Sequence, residues 1–460
     1  MPSLQIPETW DGEADVIVVG AGTAGLPAAI TAADRGAEVI ILETWSGPAS
    51  SLALIAGGTP FAGTDLQQEN GIQDSPEELF REAVETSGGS PELWRVVADT
   101  QLETYEWLKG LGAKAVELWS APGNIVMRIH RWEGHGAHLL KILRETAESK
   151  GIKILFRHRA RSLVLNPETN RVIGIKAEHA DETLNFKARK AVILATGGFI
   201  RNKELVKEYG PYYANCVPVT PPTHLGDGLK MALDLGAATE GIGLAVCPSI
   251  SVCTETNRTT TLHGSGSISV TRDARRWADE AGPPYTITLR ELIRQYPDGA
   301  HFVIYDSKIR EVASPESYRQ VKEYKKDSIK ELAQAVGLHP EALVETVSEY
   351  NSNIDKYGYD IKYGRRSWGA SLGNQPPPKI DTPPFYAVKC KVSLSSLKGG
   401  IRINTRAQVM NQYGDVIPGL YAAGEITGGL TGKPEAYYTG SMTLGAFVFG
   451  RLAGENATAL

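Results

Sequence analysis

Apolar positions along this chain fall into runs of two kinds, unbroken and helically spaced. From Asp15 the sequence reads DVIVV, a β-branched run of the sort that fills a parallel strand buried on both faces. GAGTAG follows as a turn, then LPAAITAADRG, whose small apolar residues recur at helical spacing up to Gly36, then AEVIILE, a second strand. The whole stretch from Asp15 to Glu43 is apolar enough to suggest a membrane span. Asp34 and Arg35 interrupt it, however, and a span needs about 20 apolar residues without such breaks. Two later runs repeat the theme of a strand ending in small residues: KAVILATGGFIRN, with Ala191 to Leu194 as the strand, and GDVIPGLYAAGEITGG, with Gly419 to Ala422. Between 239 and 385 the pattern changes. Ser, Thr, Arg and Tyr become more frequent, helices are predicted in ESYRQVKEYKKDSIKELAQAVG and EALVETVSEYNSNIDK, and GNQPPPKIDTPP reads as a loop.

Strand, glycine turn, helix and a second strand ending in an acid form the dinucleotide-binding βαβ unit. Gly20 permits the tight turn, Gly22 lets backbone approach a pyrophosphate, and Gly25 lets the helix pack closely on the strand. Glu43, eighteen residues past Gly25, is placed to accept from an adenosine ribose hydroxyl. The diphosphate is expected at the helix N-terminus, where free N–H groups and the helix dipole favour negative charge. These residues do not distinguish NAD from FAD.

Composition narrows the field. With 460 residues, 42% apolar and 22% charged, the chain is in the range of a soluble globular protein of a few domains. A net charge of −5 supplies no basic stripe for nucleic acid and no polybasic anchor for a membrane surface, which leaves small-molecule chemistry. Cys216, Cys247, Cys253 and Cys390 form no CxxC pair and no haem or iron–sulfur spacing, and read as reduced thiols. The opening MPSLQIPETWDGEADV is acidic and lacks a charged-then-apolar leader, so the expected location is the cytoplasm.

In order along the chain, GAGTAG, ATGG, GDGLKMALDLGA at Gly226 to Ala237, GLYAAGE and GSMTLGAFVFGRLAGENA at Gly440 to Ala457 resemble the flavoproteins of the fumarate reductase and succinate dehydrogenase superfamily. The resemblance covers nearly the whole chain. It implies an α/β architecture in which a Rossmann-like FAD-binding domain is built from both chain ends, 1–238 and 386–460, around an inserted α+β substrate-capping domain at 239–385. It implies FAD held by Gly20, Gly22, Ala24, Gly25 and Glu43, by Thr196, Gly197 and Gly198, by Gly424 and Glu425, and by Ser441, Thr443 and Leu444. Succinate dehydrogenase flavoproteins carry a histidine near the Ser46 to Gly58 stretch that attaches FAD covalently. Here no histidine occurs from Met1 to Gly123, so non-covalent FAD is expected and no metal. There is no second GxGxxG for a nicotinamide domain and no cluster or haem ligand set. Electrons are therefore expected to pass to or from a quinone, dioxygen or a carrier protein.

The same resemblance implies transfer of two hydrogens across a CH–CH bond beside a carbonyl or carboxylate. Three hallmark groups of the fumarate reductases are replaced: Ser396 in LSSLKGG stands at a histidine position, Pro284 in DARRWADEAGPPY at the arginine proton donor, and Tyr437 at the arginine that holds the dicarboxylate. The replacements look like the 3-ketosteroid dehydrogenases and related cyclic-ketone desaturases, which share a KGG, matched by Lys398 to Gly400, and two tyrosines. Tyr437 is in register; Tyr285 lies five residues after Glu280, one further than the common spacing, and Tyr438 and Ser441 depart from the YPGxGGTxG stretch. The expected roles are Tyr437, with a backbone N–H near Ser441, as donor to the substrate carbonyl and Tyr285 as acceptor of the α-proton. The base role demands a lowered tyrosine pKa or concerted transfer. Ser396 is expected beside the substrate, as are Arg128 and His130, which align with an RxH stretch of the superfamily. Alternatives are a fumarate reductase-like or tricarballylate dehydrogenase-like enzyme on a carboxylic acid, an enoate reductase, or a flavin-binding protein without turnover.

Overall fold

Nothing alternates in DVIVV because both faces of that strand are covered: Val16, Ile17 and Val18 are fully buried in the strand Gly12–Val19. The computed structural model describes residues 6–47, 50–54, 57–120, 124–243, 246–260, 262, 265–281, 285–368, 375–433 and 438–459, without the side chains of 246–250, 285–288 and 316. Gly12–Val19 pairs in parallel with Val39–Glu43 on one side and Glu182–Leu194 on the other. Beyond these the sheet continues in parallel to Lys153–Phe156 and to Val416–Ala422, and ends on the antiparallel strand Gln408–Met410. A strand from the C-terminal segment thus completes a sheet begun near the N-terminus, with Leu420 opposite Val192. A hairpin of Arg159–Asn166 and Arg171–His179 is carried antiparallel on Glu182–Leu194.

The helix Gly25–Asp34 ends where expected, with Gly36 in the left-handed region at φ 81°. It can lie close to the first strand because residue 25 has no side chain: a Cβ there would sit 1.8 Å from the Gly20 carbonyl oxygen. The closing helix Ser441–Thr458 crosses it at similarly short range, since a Cβ on Gly454 would lie 2.1 Å from the carbonyl oxygen of Ala28. The alanine and glycine content of both helices is the sequence expression of these two approaches.

The chain divides into two units: residues 1–210, 220–246 and 396–460, which contain this sheet, and residues 211–219 with 247–395. These limits differ from the expected ones at 238/239 and 385/386. The strand Phe385–Leu397, assigned by sequence to the outer segment, pairs along half its length with His301–Asp306 of the second unit, and Val217–Pro218 returns to pair beside Ser393 and Leu394. The second unit is a largely antiparallel sheet with helices, built on one core that includes Ile268, Val303, Leu332, Leu343 and Val388. EALVETVSEYNSNIDK forms the helix Pro340–Tyr357 as predicted. ESYRQVKEYKKDSIKELAQAVG does not form one helix. Tyr324–Lys326 is instead a strand against Phe385–Ala387, and a new helix, Ile329–Val336, starts where the Ser328 hydroxyl accepts from the Glu331 N–H at 3.2 Å. Sheet pairing overrides helix propensity at that point. Among the described residues no helix is long and apolar enough to cross a membrane.

Gly25→Ala is expected to force the helix off the strand, at a cost above the about 1–3 kcal/mol usual for overpacking because backbone is struck. The variant should melt lower and purify with little flavin; a normal melt with full flavin content would contradict the packing argument.

Candidate functional site

Parallel strands in an open α/β sheet end at a crevice outside their carboxyl ends, and that is where ligands bind. Here the ends of Gly12–Val19, Glu182–Leu194 and Val416–Ala422 border a cleft with about 980 Å³ of open space, lined among others by Val19, Ala195 and Ala423. The first turn of Gly25–Asp34 and that of Ser441–Thr458 also reach it, through Ala24 and through Met442 and Thr443.

Glu43 closes one end. Its Oε2 accepts the Ala21 N–H and its Oε1 the Trp45 N–H, each at 2.8 Å, which fixes the carboxylate and leaves lone pairs for hydroxyl donors. Burial raises its pKa above 4.5, the backbone N–H groups of Trp45 and Ala21 opposing the shift. Nearby the hydroxyls of Thr23 and Ser50 lie 3.0 Å apart. Further along, Ser51 Oγ, Thr196 Oγ1, His224 Nδ1 and Glu425 Oε1 are buried without a hydrogen-bond partner among the described residues, and each belongs to a residue that lines the cleft. His224 Nδ1 is 3.5 Å from Glu425 Oε2. Each unsatisfied buried group costs roughly 1–3 kcal/mol, so a row of them along one cleft fits a long polar ligand. An acid at one end, a helix N-terminus and this row match an extended dinucleotide, and the residues fit FAD.

Of the residues expected to hold FAD, Gly20, Gly22, Ala24, Glu43, Thr196, Gly197, Gly424, Glu425 and Thr443 line the cleft. Gly25, Gly198, Ser441 and Leu444 are not among its lining residues. Gly25 packs on the strand turn, and a Cβ on Gly198 would lie 2.5 Å from Glu425 Oε1, so Gly198 makes room for that acid. Leu444 is fully buried, because helical spacing turns Met442, Thr443 and Ala446 to the cleft instead. The Ser441 N–H is taken by the Tyr438 carbonyl at 3.0 Å, and Ser441 Oγ is buried without a partner among the described residues. A substrate carbonyl would therefore find that N–H already engaged. Sequence reasoning missed Ser50, Ser51, His224 and Asp227. The last two stand in PPTHLGDG, where a histidine two residues ahead of a glycine motif was the available signal. Asp227 is held by a bidentate pair with Arg159 at 2.7 and 2.9 Å.

A smaller hollow of about 350 Å³ shares Gly424, Met442 and Ala446 with the cleft and is bordered by Lys398, Thr427 and Thr431. Ser396, at the end of the Phe385–Leu397 strand, is buried, and its Oγ has no partner among the described residues.

Arg128 and His130 are a correction. Arg128 is buried and binds Asp74 through Nε at 2.7 Å and Nη2 at 2.5 Å, and its Nη1 donates to Glu82 at 2.6 Å and to the Tyr438 hydroxyl at 2.8 Å. Burial works against its charge, but Asp74 and Tyr438 more than offset this, and its pKa is raised. His130 is fully buried on the strand Ile129–Trp132, with Nδ1 2.8 Å from the Arg128 carbonyl oxygen and Nε2 2.8 Å from the Thr64 hydroxyl. Burial lowers its pKa to about 4, so it is neutral, donating through Nδ1 and accepting at Nε2. Neither side chain is open to a substrate.

Tyr437 lies outside the described residues. Tyr285 opens the helix Tyr285–Gln295 of the second unit, and its side chain likewise lies outside them. The motif ahead of it is firmly held: Glu280 is buried against Arg276 at 2.6 Å and Arg365 at 3.3 Å, and Arg276 also pairs with Asp360 at 2.8 Å. Burial of Glu280 would raise its pKa, but Arg276 and Arg365 outweigh that and lower it.

The FAD binding domain family matches residues 15–436. A cytochrome-type fumarate reductase of Shewanella frigidimarina is 32% identical over 459 residues, covering 96% of this chain and 76% of the relative. Among solved structures, a flavocytochrome c3 fumarate reductase in its open conformation superimposes with a TM-score of 0.86 at 29% identity, covering 98% of this chain and 79% of that one. A 3-ketosteroid-Δ4-(5α)-dehydrogenase from Rhodococcus jostii RHA1, in complex with 4-androstene-3,17-dione, gives 0.76 at 27% identity with 98% of both chains covered.

Ribose hydroxyls donate to a carboxylate, so FAD binding requires Glu43 deprotonated. Affinity should fall as pH drops through a pKa held above 4.5, and Glu43→Gln should bind more weakly at neutral pH with little pH dependence. The cofactor-free fold responds in the opposite sense: the raised pKa gives a contribution to stability that is present below 4.5 and lost as pH rises through the folded value. Fluorescence titration of FAD into stripped protein between about pH 4 and 8 checks the first statement, and melting over the same range the second.

Proposed function

We propose that this chain, which belongs to the FAD binding domain family within the fumarate reductase and succinate dehydrogenase flavoprotein superfamily and is an FAD-dependent oxidoreductase, desaturates a cyclic ketone beside its carbonyl. The observation that carries this reading is the engagement of Arg128. The cation that the sequence offered to a substrate carboxylate is buried against Asp74 and Glu82, and serine, proline and tyrosine stand at the three fumarate reductase positions 396, 284 and 437. Likeness to a steroid ketone dehydrogenase at 27% identity supports the same reading. The 32% identical fumarate reductase favours a second one, in which the substrate is a carboxylic acid and the step runs as reduction.

Glu43, Glu425 and the first turns of Gly25–Asp34 and Ser441–Thr458 would hold FAD non-covalently, and when bound it would supply a two-electron acceptor for the β-hydrogen. The remaining work falls to side chains. Tyr437 donates its hydroxyl proton in a hydrogen bond to the carbonyl oxygen, which makes the adjacent C–H acidic. Tyr285 takes the α-proton as the tyrosinate, or as a phenol that passes its own proton to a neighbour as the α-proton arrives; the first requires a phenol more acidic than a free tyrosine, the second transfer in concert with carbonyl polarisation. Because the Ser441 N–H is occupied by Tyr438, Tyr437 carries the carbonyl without it. Electrons then leave to a quinone, dioxygen or a carrier protein.

Anaerobic titration with saturated cyclic ketones and, separately, saturated di- and tricarboxylates tests the reading. Ketones alone should bleach the oxidised flavin, and Tyr437→Phe and Tyr285→Phe should each slow that reduction by about 10²–10⁴, the usual worth of positioned acid–base catalysis. Bleaching by the acids alone would replace the ketone with a carboxylic acid. An unchanged rate in either variant would remove that tyrosine from the chemistry.

A further inference from the structure

We propose that the buried cluster of Arg128, Asp74, Glu82 and Tyr438 is a positioning device that sets where the first turn of the closing helix meets the cofactor cleft. Three features lead there. The cluster is buried and directional: Tyr438 is 1% exposed, receives an N–H from Arg128 at 2.8 Å and donates its own proton to Glu82 at 2.7 Å. One guanidinium faces two carboxylates, so the phenol proton is what connects the second carboxylate to this end of the chain, and Tyr438→Phe breaks that connection.

The helix Ser441–Thr458 also has no side-chain cap. Gly440 sits in the left-handed region at φ 80°, and the Ser441 N–H is satisfied by the Tyr438 carbonyl at 3.0 Å. The residue that enters the cluster with its side chain therefore caps the helix with its backbone. Met442 and Thr443, which follow directly, line the cleft, and a helix N-terminus favours negative charge, hence the reduced state of a bound flavin.

The approach to this point is fastened to the same helix, Pro76–Ser87, that supplies Glu82. The Ser87 carbonyl accepts the N–H groups of Gly432 and Lys433 at 3.0 and 3.1 Å. Trp94 donates to the Leu430 carbonyl at 3.0 Å and meets the Tyr438 ring edge-on at 5.7 Å. Positions 430 to 433 and position 438 are thus held from one side.

The test uses the holoenzyme. Tyr438→Phe should weaken FAD binding at least about tenfold and disfavour the reduced flavin about tenfold relative to the oxidised, a fall of about 30 mV in the two-electron midpoint potential. Glu82→Gln keeps an acceptor for the phenol and should stay nearer the wild type in both. A lower melting temperature with unmoved affinity and potential would reduce the cluster to ordinary packing and overturn the proposal. If Tyr438→Phe does not fold, Arg128→Lys carries the test, since it keeps the charge but not the planar fork; folded protein with both readouts unmoved overturns the proposal equally. The ketone reading is judged separately, by ketone turnover in Tyr437→Phe: its failure leaves the shifts in Tyr438→Phe standing.

Discussion

How near a helix can come to a strand governs the cofactor-binding unit. The first helix touches the turn at Gly20 through a position with no side chain, and the last helix crosses it through another. Both approaches bring backbone, with its N–H groups and dipoles, to the edge of one cleft. Glu43 then follows from the same geometry: the second strand, in register with the first, ends where its carboxylate can take the Ala21 N–H from the turn. Side chains refine a site whose outline is drawn by main chain.

That outline was legible because glycine and β-branched runs report directly on backbone. GAGTAG, ATGG and GLYAAGE each mark a strand end at the cleft, and their order implied a sheet closed from both chain ends, which the pairing of Val416–Ala422 with Glu182–Leu194 bears out. What was not legible depended on partners distant in sequence. RIH looks like a pair of exposed polar residues, yet Asp74, Glu82 and Thr64 make it the interior of the unit, and nothing in the local pattern announces them. The run from Glu316 to Gly337 has helical composition, and only the presence of a sheet edge at Phe385–Ala387 turns its middle into a strand. His224 was passed over because a lone histidine in a proline-containing loop carries no periodicity, although a glycine motif follows it.

The two units share a way of using charge. In one, Arg128 with Asp74 and Glu82 secures Tyr438; in the other, Arg276 and Arg365 with Glu280 and Asp360 secure the motif that precedes Tyr285. Buried ion clusters contribute little net stability against well-packed apolar residues, but they fix geometry, and removing one partner leaves an uncompensated charge. Both clusters lie close in sequence to a tyrosine proposed for chemistry.

Closing the sheet from two ends of the chain also has a consequence for biosynthesis. During translation, Glu182–Leu194 emerges with the first half of its outer edge covered by Arg171–His179 but with Val192–Leu194 unpaired on that side, and their neighbour Val416–Ala422 is made only after the entire second unit. Until then the nascent protein exposes an apolar strand edge, the kind of template on which chains associate wrongly. The cofactor cleft is likewise completed only with that last pairing, since Gly424, Glu425 and Thr443 all lie beyond it. The fold therefore ties its exposure to aggregation and its acquisition of flavin to one late event, and chaperone occupancy of ribosome-bound chains should persist until the C-terminal strand has left the tunnel.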